Sequence, residues 1–166
     1  MSRGDFEIID NGGYNVVPTR VYQVASGAAA SIKAGEPVVL TTIGTSQYAV
    51  LASDAQPVIG TDYFAGFAAK DSTDTASAAG EVEVYRPLPG VVFRGKAKSA
   101  AAADTLSEIQ ALANKRVPWD LTSAAFTVDT AAADGSTNGL ILTGTGDASL
   151  SKVDFSVSVR ATNLGF

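Results

Sequence analysis

The stretch KVDFSVSVRAT, residues 152–162, alternates apolar and polar side chains with a period of two. A β-strand sends successive side chains to opposite faces. Val153, Phe155, Val157 and Val159 are therefore assigned to a core, and Asp154, Ser156, Ser158 and Arg160 to the outside. A slip of one residue would bury a charge and expose four apolar side chains, so the sequence itself fixes the register.

Weaker versions of the same pattern recur along the chain. Around Val21, Gln23 and Val24 the alternation is imperfect. PVVLTT and QYAVLAS flank a Gly-Thr-Ser turn and predict a hairpin. In QPVIGTDYFAGFAAK, Gly60 and Gly66 interrupt an apolar run, and glycine inside strand-like sequence marks a bulge or a sharp bend of a small barrel. Phe64 and Phe67, with Tyr63, are expected to pack in a core. Residues 81–85 place Val82 and Val84 on one face and Glu81, Glu83 and Tyr85 on the other; Pro87 and Pro89 then end the strand at a rim. Beyond Pro118, AAFTVDT puts Phe126 and Val128 on one face, and turns bracket the apolar run in DGSTNGLILTGTGD.

One segment has helical spacing. Thr105 and Glu108 stand at the separation of a capping box, Leu106, Ile109 and Ala113 share a helical face beside Leu112, and Asn114 is placed to cap the end. The chain is thus read as mainly β, a small β-barrel or sandwich with one short α-helix at about 105–114 and an extended N-terminal arm. The arm covers residues 1–20. Residues 21–166 form a single β-rich domain, with a β core at 30–98, a helix-containing connector at 99–116 and C-terminal strands at 117–166. Phe6, Ile8 and Ile9 make the arm apolar, so it docks either on its own domain as an edge strand or on a neighbouring subunit.

Function is bounded first by what is missing. The 166 residues contain no histidine, which removes the usual general base, the Ser-His and Cys-His nucleophile pairs and the commonest transition-metal ligand. They contain no cysteine, so no disulfide contributes. Only 17% of residues are charged, against roughly 25% in soluble domains, so the polar surface is built from Ser, Thr, Asn, Gln and Gly. A net charge of −5 removes the main source of affinity for nucleic acid. No apolar run reaches membrane-spanning length, and MSRGDFEIIDNGG lacks the features of a secretory leader, which predicts synthesis and use without Sec export.

The remaining motifs favour architecture over chemistry. Glu81 and Glu83 have a spacing that a carboxylate pair of a glycosidase could use, but they share the polar face of their strand and read as solvated. DGSTNG at Asp134 lacks the final glutamate of an EF-hand loop and reads as a turn. Neither a Walker motif nor a dinucleotide fingerprint occurs. Trp119 is expected to be a core or interface anchor, with sugar stacking as the alternative. No catalytic, cofactor-binding or metal-binding residue is assigned.

The order of segments in IKAGEPVVL and QPVIGTDYFAGFAAKDSTDTASAAGEVEVYRPLPGVVFRGKA resembles the head-decoration, or capsid cement, proteins of tailed double-stranded-DNA bacteriophages. A Gly-Glu-Pro turn into a strand (Ala34 to Pro37) precedes a Gly-hydrophobic-Ala segment (Gly66 to Ala68), a small-residue loop (Asp74 to Gly80), a Val-x-Val strand (Val82 to Val84) and a Pro-Gly-hydrophobic run (Pro89 to Phe93). The resemblance covers residues 30–98. It implies a non-enzymatic β-barrel-like virion protein on the capsid outer surface, made in the host cytoplasm. Such a protein assembles as trimers, bridges major-capsid-protein subunits, and uses no cofactor, nucleic acid or membrane. Phe6, Ile8, Ile9 and Trp119 are the candidate capsid or subunit contacts. A phage tail or baseplate protein and a carbohydrate-binding β module remain open alternatives.

Overall fold

The Gly44–Thr45 turn, with Gly44 at φ 64°, closes the hairpin expected from PVVLTT and QYAVLAS, and Ile43 faces Ser46 across it. The computed structural model describes residues 6–26, 31–61, 63–122, 125–158 and 160–161. In chain order its strands are β1 (Glu7–Asn11), β2 (Thr19–Val24), β3 (Pro37–Ile43), β4 (Ser46–Leu51), β5 (Tyr63–Ala68), β6 (Gly80–Tyr85) and β7 (Val91–Lys96). After helix α1 (Leu106–Ala111) follow β8 (Arg116–Val117), β9 (Trp119–Thr122), β10 (Ala125–Val128), β11 (Leu140–Asp147) and β12 (Lys152–Val157).

Two β layers share one wall. Strands β2-β4-β3-β5-β6 close into a barrel, sealed by antiparallel β2–β6 pairing and a parallel bridge between Val24 and Ala49. A second sheet has the order β1-β7-β12-β11-β8, and β9 and β10 form a separate hairpin. The shared wall is β5, buried from Phe64 to Ala68. Ala65 and Ala68 join Val24, Val38, Val82 and Val84 inside the barrel, while Phe64 and Phe67 point away from it into the larger core.

Residues three apart share a face only because Gly66 forms a bulge opposite Val38 and Val39. Gly66 sits at φ 138°, and a Cβ there would lie 1.9 Å from the Tyr85 carbonyl oxygen. Of the two glycines expected to mark bends, Gly66 is thus the bulge; Gly60, at φ 87°, precedes the strand. Phe67 is the hub between the layers, with ring centroids 4.7 Å from Phe6 and 4.7 Å from Phe93.

In β12, Val153, Phe155 and Val157 are buried, as the alternation predicts, while Val159 lies outside the described residues. Asp154 departs from the expected solvated face. It is only 4% exposed and accepts two hydrogen bonds from Arg94, at 2.6 and 3.1 Å. Thr145 donates a further bond to it at 2.9 Å. Asp154 faces Arg94 across the β12–β7 ladder, in the middle of the sheet, so neighbouring side chains cover the polar face. Ser158 is buried as well, and Arg160 is exposed.

The helix is shorter than its spacing predicts. The capping box forms, with Thr105 Oγ1 accepting from the Glu108 amide and the Glu108 carboxylate accepting from the Thr105 amide, but α1 ends at Ala111. Only Ile109 is fully buried. Leu112 is half-buried, whereas Leu106 is 59% exposed and Ala113 is exposed, contrary to the expected face. The reason lies in β11. Asn114, at φ 64°, donates its amide to Leu142, and the Leu142 amide donates to Lys115, so strand pairing takes over where a further helical turn would have formed.

Candidate functional site

The N-terminal segment is a strand of its own sheet. β1 pairs antiparallel with β7 from Glu7–Arg94 to Asn11–Val91, and Lys152 holds Glu7 at 3.0 Å. Phe6 is buried against Phe67 and Phe155, so it anchors the segment and offers nothing to a partner. An irregularity between Ile8 and Asp10 breaks the alternation. Ile8 packs against the core, and Ile9 is left 43% exposed. Of the three apolar residues expected at a capsid contact in this segment, only Ile9 presents a large surface.

Trp119 is likewise internal. It is fully buried, its Nε1–H donates to the Ser53 carbonyl at 2.8 Å, and its ring lies 5.1 Å from Phe64 and 6.4 Å from Phe126. Packing against three elements leaves no face for a subunit contact or for sugar stacking. Of the aromatic residues expected in the core, Phe64 and Phe67 are there, while Tyr63 is 50% exposed.

Three exposed apolar residues that the sequence did not mark as contacts follow β1. Tyr14, Val16 and Val21 are exposed by 38%, 74% and 55%. Their burial is decided by pairing: Val17 turns into the core while its neighbour Val16 turns out, and Val21 stands opposite Glu83 on the outer face of the barrel. The signal available in the sequence was the imperfect phase of β2, in which only Val24 is buried.

The carboxylates are committed to the scaffold. Glu81 accepts from Gln23 at 2.7 Å. Glu83 is held below the usual carboxylate range by the Lys70 ammonium at 2.7 Å and the Thr19 hydroxyl at 2.7 Å. Both stand on the polar face predicted for them, opposite buried Val82 and Val84. Asp104 and Glu108 are pushed apart, Asp104 upward by hydrogen bonding to Glu108 and Glu108 downward by its bonds to Asp104 and Thr105. That pair serves the start of α1 on an open surface. Asp134 accepts from the Arg116 amide at 2.9 Å, and the Asn138 amide group donates to the Arg116 carbonyl at 3.1 Å, so DGSTNG is a braced turn. Among the described residues no group of three or more acidic side chains is placed to hold a metal, and no helix is long and apolar enough to cross a membrane.

A recess of about 440 Å³ opens on the outside of the barrel, between β3, β4 and the loop that leads into β5. Val39 and Val50, paired across β3 and β4, contribute its aliphatic wall. Ser53, Gln56 and Thr61 line it from the loop, Thr41 and Thr42 from β3, and Tyr63 from the first residue of β5. The loop is fixed beneath by Trp119, whose two N–H groups donate to the carbonyls of Ser53 and Gln56 at 2.8 Å each. Among the described residues lining the recess none is charged.

No family model matches this chain, and no curated protein or solved structure shows significant similarity to it.

Proposed function

We propose that this protein is a structural component of a tailed-phage virion that decorates the capsid exterior and stabilises it by bridging major-capsid-protein subunits, assembling as a trimer. The order of turns, loop and strands between residues 30 and 98 motivates the reading. The observation that carries it is the crowding of exposed apolar residues near the N-terminus. Ile9, Tyr14, Val16 and Val21 are half of the large apolar side chains exposed among the described residues, and all fall within residues 9–21. Ile9 stands on the five-stranded sheet and Val21 on the barrel, so this stretch offers exposed apolar side chains from both, the kind of surface that marks an interaction site when a partner covers it. The low density of charge elsewhere suits a protein that lies against other protein.

On this reading the protein adds buried apolar area across a seam between subunits. Because it binds the assembled shell and not free subunits, it stabilises the shell by mass action. The test is co-sedimentation with expanded capsids, comparing wild type with an Ile9→Ser/Val16→Ser/Val21→Ser variant that retains the wild-type melting temperature. Wild type is expected to sediment with the shells, and the variant to lose affinity by at least about tenfold. No association of the wild type sinks the reading. Undiminished association of the variant removes this face from it. Immunogold labelling of virions separates head from tail.

A further inference from the structure

We infer that the recess beside Tyr63 is a binding site for a neutral saccharide. Such a site is independent of any role at a capsid.

Its dimensions are those of a small-molecule site: about 440 Å³ falls in the range of about 300–1,000 Å³ that such sites occupy. Its chemistry selects among ligand classes. Its described lining residues carry no charge and so offer no ion pair to phosphate, carboxylate or ammonium. A purely apolar ligand would have to strip water from a polar rim of four hydroxyls and an amide at a net cost. A sugar matches both halves of the lining, because its hydroxyls exchange hydrogen bonds and its C–H face covers aliphatic and aromatic surface.

Two further observations support the assignment. First, the hydroxyls of Thr41, Thr42, Ser53 and Thr61 make no hydrogen bond to the described protein, whereas those of Thr19, Thr105, Thr122 and Thr145 are engaged within the chain. These hydroxyls are therefore uncommitted donors and acceptors, whereas the Gln56 side chain already accepts from the Ser53 amide at 2.8 Å. Second, Tyr63 stands at the rim with half of its surface exposed, although β5 is buried from the next residue onward. A rigid strand thus holds a solvent-facing ring where a sugar could stack, and ring and hydroxyl together suit a ligand apolar on one side and wet on the other. The ring that the sequence suggested for stacking, Trp119, instead secures the loop beneath this recess.

Binding at a single shallow site of this kind is expected to be millimolar, becoming useful only where many copies are displayed together. The experiment is an amide chemical-shift titration of the full chain with maltose, cellobiose, lactose and N,N′-diacetylchitobiose, with glucose 6-phosphate as a charged control. The expected result is a saturable shift of the amides of residues 41, 42, 53, 61 and 63 with at least one neutral disaccharide and a weaker response to the phosphate. Tyr63→Ala should weaken binding by about tenfold or more, while Tyr63→Phe, which keeps the ring, should retain most of it. Because Tyr63 is half exposed, both variants are expected to keep the wild-type melting temperature. If no neutral disaccharide gives a saturable shift at tens of millimolar, or if binding survives unchanged in Tyr63→Ala, the assignment is wrong.

Discussion

The ring of Phe6 occupies the space that a side chain on Gly95 would need: a Cβ built on Gly95 falls 2.3 Å from Phe6 Cε1 and 2.5 Å from Cδ1. Gly95 lies in β7, between β1 and β12, so the absence of one methyl group there lets the N-terminal strand plug into the core. The two positions are therefore energetically coupled. Gly95→Ala alone should cost about 1–3 kcal/mol by overpacking, and Phe6→Ala about 3–5 kcal/mol by leaving a cavity. In the double variant the alanine methyl enters vacated space, so the combined loss should be smaller than the sum. A double-mutant cycle from urea denaturation reads this directly, and strict additivity would show that the ring is not seated on Gly95.

Gly66→Ala is expected to be among the most damaging single-methyl changes in the chain. It meets both an unfavourable φ of 138° and the Tyr85 carbonyl oxygen. Relieving the clash would require β5 to separate from β6, so a loss of at least about 3 kcal/mol is expected, the upper end of what overpacking usually costs. Gly13→Ala is the comparison. Its φ of 84° is also strained, but nothing lies within 4 Å of its Cβ, so thermal denaturation should show a clearly smaller loss.

The Arg94–Asp154 pair should behave as a buried ion pair with one partly solvated partner. Asp154 is almost enclosed, while the Arg94 side chain remains 22% exposed. Asp154→Ala should cost about 2 kcal/mol, less than the roughly 3–5 kcal/mol of a fully enclosed pair, because solvent still reaches the guanidinium. Replacing both residues by Met and Leu should recover most of that loss. Equal destabilisation of the single and double variants, measured by calorimetry, would mean that the pair contributes through packing and not through charge.

The Lys98–Asp120 contact gives a pH signature. Burial pushes the Asp120 carboxyl up, but the Lys98 ammonium at 2.6 Å and the Thr122 hydroxyl more than reverse this, and the carboxyl rests below its ordinary value. A carboxyl whose folded pKa lies below its unfolded one contributes stability that is complete above the unfolded value of about 3.9 and is lost as pH falls through the folded value. Lys98 itself is raised by hydrogen bonds to Asp120 and then to Asp129, so its contribution is lost as pH rises beyond about 10.4. Melting temperature should thus fall faster below pH 4 in wild type than in Lys98→Met. Parallel acid limbs would exclude the contact as a source of acid sensitivity.

The sequence by itself determined that the chain is mainly β and how several of its strands face. The period-two patterns at residues 82–84 and 153–157 left one register compatible with an apolar core, and the Thr105–Glu108 box started a helix where its spacing required. These are local effects, set by neighbouring residues and the fixed geometry of a pleat or a helical turn.

Tertiary structure decided everything that depends on which strand lies beside which. It covered Asp154 by placing Arg94 across from it, ended α1 early by pairing residues 114–115 with β11, and seated Phe6 on Gly95. It also enclosed Trp119 while leaving Tyr63, Val16 and Val21 in solvent. No local pattern carries that information, because burial in a β protein is set by residues that meet across strands from distant parts of the chain. For the same reason, the alternation that fixed β12 could not say whether its polar face would meet water or a neighbouring side chain.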